Sequence, residues 1–280
     1  MGSLGAISLI IIVINCLVSY RGFTNKTFFE SYQLDVDSIL IRKDYKRLVT
    51  SGFLHLSWPH LVFNMLSLVF FSDSLENYLG GLQFALIYFV SLVGGGLFIL
   101  LVHRHHGDYS AVGASGAVCG IIFSSIALFP GMNVGLFLIP LSIPGWIYGL
   151  LFIAYSIYGV RSRKGNIGHE AHLGGALVGM FAAIVMVPSA LIENYVTILV
   201  ISIPTIIFTY LVITRPHVLL VDNFFFKKHH AAYNIDQRYN LDRTKQQQEI
   251  DRILDKINTK GMISLTKAES NKLKEYSKKM

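Results

Sequence analysis

Seven apolar stretches without a single Lys, Arg, Asp or Glu constrain this chain more than any other feature: residues 4–20, 58–71, 82–102, 113–128, 145–160, 171–187 and 195–213. Crossing the roughly 30 Å hydrocarbon core of a bilayer takes about 20 apolar residues, and fewer where flanking groups snorkel. A lipid-exposed segment must satisfy its own backbone hydrogen bonds, so each stretch is expected to be a helix. Composition agrees: 15% of the 280 residues are charged and mean hydropathy is +0.51, where a soluble domain carries about 25% charged residues. A water-soluble globule is excluded. The first stretch lacks the basic flank and small-residue cleavage site of a signal peptide and reads as a retained helix. Cys16 and Cys119 lie far apart in apolar runs and offer no disulfide or metal framework.

Lys and Arg are unevenly spread, 10 in residues 1–214 and 14 in 215–280, which divides the chain into a seven-helix membrane domain, 1–214, and a basic polar tail, 215–280. Residues 21–57 form a long, mixed-charge first loop, whereas 72–81, 129–144 and 188–194 contain no Lys or Arg. Pro140 and Pro144 break the entry to the fifth helix. The tail opens with Phe224-Phe225-Phe226-Lys227-Lys228, suited to a membrane interface. A helical hairpin is expected beyond it: Ile250, Ile253, Leu254 and Ile257 recur at helical spacing, Gly261 stops the helix, and Thr266-x-x-Glu269 opens a second helix carrying Leu273 and Tyr276. Mixed charge and the membrane tether favour docking or membrane contact over nucleic acid.

Strongly polar side chains inside bilayer helices are costly, so each is a functional candidate. The second helix carries His60 and Asn64 on one face. The fourth opens with Gly113-Ala114-Ser115-Gly116, and the sixth with His169-Glu170-Ala171-His172. These helices enter from the same side, so the three clusters converge at one depth. Ser115 alone reads as packing. Ala171, Gly175 and Gly179 make a smooth stripe, and if it meets the Gly113/Gly116/Gly120 stripe, Ser115 and His172 come within reach as a nucleophile and its general base. His60 and Asn64 suit oxyanion stabilisation, with interhelical hydrogen bonding as the structural alternative. No membrane-embedded Asp is placed to orient the histidine, so the expectation is a dyad.

Four ordered motifs carry a resemblance: His60-x-x-x-Asn64, Leu75-Glu76-x-x-x-Gly80, Gly113-Ala114-Ser115-Gly116 and Ala171-His172-x-x-Gly175-x-x-x-Gly179. Together they resemble the rhomboid intramembrane serine proteases. The resemblance implies an all-α polytopic membrane helix bundle, with a six-helix rhomboid core over about 45–190, one additional C-terminal transmembrane helix and the small helical tail. It implies Ser115 as nucleophile, His172 as base, and His60, Asn64 and the Ser115 N–H as oxyanion donors, with Gly113, Gly116, Gly175, Gly179 and Glu76 structural near the site. It further implies transmembrane protein substrates, no cofactor, no metal, and a multi-pass protein of a bacterial-type cell membrane. Two departures are visible: Lys46-Arg47 stands where many rhomboids have Trp-Arg, and Cys119 stands where an aromatic residue often packs on the catalytic histidine.

The histidine-rich face, with His55, His60, His103, His105, His106, His169 and His172, also allows a metal or solute transporter, although the helices hold no carboxylate away from their ends. A zincin needs His-Glu-x-x-His, and His169 and His172 are three apart. The fifth helix and the loop 161–168 are expected to form a mobile gate and cap. Orientation divides the arguments. The positive-inside rule turns the site and tail to the cytoplasm, whereas the resemblance implies a site facing away from it.

Overall fold

A computed structural model describes residues 4–104, 106–135, 142–162, 168–214, 250–259, 262–266 and 269–273. All seven apolar stretches are helical. In chain order the helices are α1 (Ala6–Thr24), α2 (Lys26–Tyr32), α3 (Val36–Leu40), α4 (Arg47–Thr50), α5 (Trp58–Leu79), α6 (Gly81–His103), α7 (Ser115–Leu128), α8 (Gly145–Ser162), α9 (His169–Met186), α10 (Ala190–Glu193) and α11 (Tyr195–Thr214). The molecule is a polytopic helical bundle. Among the described residues α1, α6, α9 and α11 are long and apolar enough to cross a membrane; Arg47–Phe53 and α5, bent by 96° at their junction, are a fifth candidate when taken together, and α7 and α8 are shorter apolar helices.

Two connections differ from expectation. The stretch 72–79 is not a loop but the last two turns of α5, and Gly80, at φ 85°, ends that helix and opens α6. Only glycine takes this backbone readily, so a single residue reverses the chain. The expected break around Pro140 and Pro144 contains an antiparallel ribbon, β3 (Asn133–Gly135) with β4 (Ser142–Pro144), while residues 136–141, including Pro140, lie outside the described residues. Proline is tolerated there because an edge position makes no demand on its missing N–H.

The core is a three-helix seam of α6, α7 and α9 joined through glycines. A Cβ on Gly175 would run into the Gly116 carbonyl, one on Gly179 into the Gly120 backbone, and one on Gly174 into Phe98. Small residues let membrane helices approach to backbone contact, which replaces the missing hydrophobic drive by dispersion. Every residue of α7 from Gly116 to Leu128 is buried. With 14 residues, at 1.5 Å each, α7 is about 21 Å long, too short for the bilayer core. Its last carbonyls are satisfied by the Asn194 side chain, which donates to Ala127 O at 2.9 Å and Leu128 O at 3.3 Å.

The first loop packs as short helices closed by β1 (Leu34–Asp35) pairing with β2 (Ser110–Ala111). Arg47 holds it: Nε donates to Asp44 at 2.9 Å, and Nη1 donates to the carbonyls of Glu30 and Gln33 at 2.9 and 2.8 Å. The chain separates into Met1–Phe225 and Phe226–Met280. In the second unit residues 250–259 are helical with Ile250 and Ile253 buried. The capping box forms, with Thr266 N donating to Glu269 Oε2 at 2.8 Å and Glu269 N to Thr266 Oγ1 at 3.3 Å. Bonds from the Lys256 ammonium and from Thr266 hold the Glu269 carboxyl down at about 2. Gly261, Tyr276 and the 224–228 run lie outside the described residues.

Candidate active site

Ser115 is the first residue of α7, and the non-helical backbone before it is tied down. Gly113 N donates to Ser51 O at 3.0 Å, and Ala114 N donates to His55 Nε2 at 3.4 Å. Irregular backbone within a membrane protein persists only where such partners are supplied. Gly113 sits at φ 128°, and a Cβ there would press on the His60 ring and lie 3.7 Å from Ser115 Oγ. Glycine is therefore required twice over, and it brings His60 and Ser115 to the two flanks of one residue.

His172 lies in the first turn of α9, buried, three residues before Gly175, whose contact with Gly116 locks α9 against α7. Neither ring nitrogen of His172 has a hydrogen-bond partner. Its neighbours are rings, Phe152 of α8 at 5.6 Å and His169 at 5.5 Å between centroids. No Ser115–His172 hydrogen bond is formed; unliganded sites are often open in this way and tighten on substrate. Asn64 donates to its own helix, Nδ2 to His60 O at 3.0 Å, which leaves its second N–H uncommitted.

A cavity of about 30 Å³ adjoins Ser115, bounded among others by Ser51, Gly113, Gly116, Gly168 and Ala171. It has room for one water beside polar backbone.

His55, counted above only among the histidines of one face, holds the turn before Ser115. It is fully buried between α1 and the turn before Ser115. Because Nε2 accepts from Ala114, the ring carries its proton on Nδ1, which donates to Ser19 Oγ at 2.8 Å, and Ser19 in turn donates to Phe53 O at 2.9 Å. Its ring meets His60 edge-on at 4.9 Å. The five-residue spacing of His55 and His60 is not helical, so no periodicity pointed to it.

Other expected members of the site lie elsewhere. Glu76 is twelve residues along α5 from Asn64, about 18 Å by helical rise, and serves α1: its oxygens accept from Ile7 N at 2.8 Å and Ser8 N at 2.9 Å. It is structural, but at the opposite end of α5. His103 and Glu170 approach to 3.5 Å, with His103 stacked on Tyr109 at 3.6 Å. Burial, reinforced by the Glu170 charge, pushes the Tyr109 hydroxyl well above its ordinary value, so it stays protonated. Among the described residues no group of three or more His, Cys, Asp or Glu is placed to hold a metal ion. His105 and residues 163–167 of the expected cap lie outside the described residues.

A model of the rhomboid domain matches residues 42–189, more than half of the chain. This chain belongs to the rhomboid family. A family of unknown function (DUF6576) matches residues 233–279 of this rhomboid, within the tail. Among its relatives, Rhomboid protein 1, mitochondrial, of Saccharomyces cerevisiae is 34% identical over 51% of this chain and 43% of its own length. RHOMBOID-like protein 12, mitochondrial, of Arabidopsis thaliana is 29% identical over 63% of this chain and 56% of its own. Rhomboid protease GluP of Bacillus subtilis is 26% identical over 58% of this chain and 30% of its own. The chain thus spans from under a third to just over half of these relatives. As a rhomboid it is an integral membrane protein; two of the three relatives are mitochondrial by name, so the expected bacterial-type membrane gains nothing from them.

Proposed function

We propose that this rhomboid is an intramembrane serine endopeptidase that cleaves transmembrane protein substrates near the membrane surface, with Ser115 as nucleophile and His172 as general base. The observation that carries the reading is the glycine seam: backbone contact at Gly116/Gly175 sets the N-terminal ends of α7 and α9 together, and each end presents one member of the pair. The protease name of the Bacillus subtilis relative supports it over the transporter alternative.

Ser115 Oγ attacks the scissile carbonyl carbon as its proton passes to a ring nitrogen of His172. The C–N bond then breaks, that proton leaves on the amine, and an acyl ester remains on Ser115. Water, deprotonated by His172, hydrolyses the ester and restores the hydroxyl. The developing oxyanion is met by the Ser115 N–H at the α7 N-terminus, by His60, and by the free N–H of Asn64. No step calls for a cofactor. A membrane substrate must unwind to expose its carbonyl, which favours helix-weakening residues near the cut.

Purified protein with a fluorogenic transmembrane peptide tests this. Ser115→Ala and His172→Ala are expected to abolish cleavage, and Asn64→Ala to lower kcat by about 10²-fold or less, since donors share the load. Wild-type rates in Ser115→Ala or His172→Ala would end the proposal.

A further inference from the structure

The base has no hydrogen bond to orient it. In a mechanism that needs a histidine lone pair aimed at a serine hydroxyl, something else must fix the ring. The residue one turn after Ser115 on the same helix face is Cys119, buried and without a ring to offer. Besides His169 of its own helix, at 5.5 Å, the ring against the imidazole comes from α8. Phe152 lies against His172 at 5.6 Å with planes 40° apart, and one turn on Tyr155 meets His169 edge-on at 5.2 Å. Phe152 is itself wedged, with Phe123 of α7 at 6.0 Å and Tyr148 at 6.4 Å. The spacing matches across the two helices: residues three apart on α8 face residues three apart on α9.

We infer that Phe152 is the positioning residue of His172, fixing the imidazole by ring packing from α8 in place of a hydrogen-bonded partner. This rests on the dyad reading above. Ring contacts at these distances are directional as well as cohesive, because edge and face carry opposite partial charge. The packed ring therefore limits rotation of His172 and not only its position. Because Phe152 belongs to α8, which pairs with α9 along one side, displacement of α8 loosens the base.

Phe152→Leu keeps apolar volume and removes the ring; Phe152→Tyr keeps the ring. With the fluorogenic transmembrane peptide, Phe152→Leu is expected to lower kcat about five- to tenfold with KM near wild type, and Phe152→Tyr to stay within about twofold. A small fluorophosphonate that labels Ser115 needs the base but no lateral entry of a helix. Its labelling rate is expected to fall in Phe152→Leu by the same factor as kcat. In a His172→Ala background, Phe152→Leu is expected to lower the residual labelling no further, the signature of a residue acting through His172. Melting in detergent is followed throughout; a labelling loss that tracks a lower midpoint and is shared by Phe152→Tyr overturns the assignment. So does wild-type labelling by Phe152→Leu, or a change confined to KM, either of which makes Phe152 a lining residue only. Full activity in Ser115→Ala would instead overturn the dyad beneath it.

Discussion

Gly175→Val is expected to abolish proteolysis and to lower the melting midpoint in detergent, the largest combined loss of any single change outside the dyad. The added Cβ would meet the carbonyl of Gly116, which is backbone and cannot rotate aside. The helices must part. Overpacking a well-filled interior costs about 1–3 kcal/mol even where side chains yield, and here they do not. The catalytic penalty is larger than the stability penalty, because parting α7 from α9 parts Ser115 from His172, and a misplacement of about 1 Å costs about 10²-fold in rate. Gly131→Ala and Gly135→Ala, where a Cβ meets nothing within 4 Å, are the matched controls and should leave cleavage and melting unchanged. Wild-type cleavage by Gly175→Val would show that the seam does not set the site.

Glu76→Ala is expected to destabilise by about 3 kcal/mol, roughly 6–12 °C in midpoint for a domain of this size, while cleavage measured well below that midpoint persists. The carboxylate accepts the Ile7 and Ser8 N–H groups at the start of α1, and charged hydrogen bonds are worth about 1.5–3 kcal/mol each, with a smaller favourable term from the helix dipole. The N-cap residue Gly5 has no side chain with which to cap α1 in its place. Glu76→Gln keeps one acceptor oxygen and should recover part of the loss. Thermal melts and the peptide assay on the same samples check both halves. A stable but inactive Glu76→Ala would move this residue back to the site, where the motif alone had placed it.

Glu76 also marks what was legible in the sequence and what was not. The helices were, because a bilayer leaves a charge-free run little choice but to satisfy its own backbone. Their ends were less so: residues 72–79 carry Asp73 and Glu76 and read as a loop, yet α5 continues through them because Glu76 has a partner in α1 that no local pattern reveals. Counting crossings put the His60, Ser115 and His172 clusters on one side, and the His60 ring does lie against the Gly113 turn before Ser115. The four-residue glycine spacing named the faces that meet in the seam. The group that holds the turn before Ser115 did not follow, since His55 acts through a backbone N–H 59 residues away and a serine 36 residues away. Such contacts leave no periodic trace. The α8 rings on His169 and His172 were hidden for the same reason: aromatic residues in an apolar helix look alike until a partner helix selects two of them.

On the proposed mechanism the hydroxyl of Ser115 becomes covalently acylated with His172 as its base. The most direct measurement of this step is intact-mass and peptide-level mass spectrometry of the purified protein after exposure to a fluorophosphonate in detergent or bilayer discs. One adduct is expected, on the peptide containing Ser115, absent from Ser115→Ala and slowed by about 10³-fold or more in His172→Ala. An adduct on any other serine, or efficient peptide cleavage by a protein whose Ser115 stays unmodified, would contradict the account.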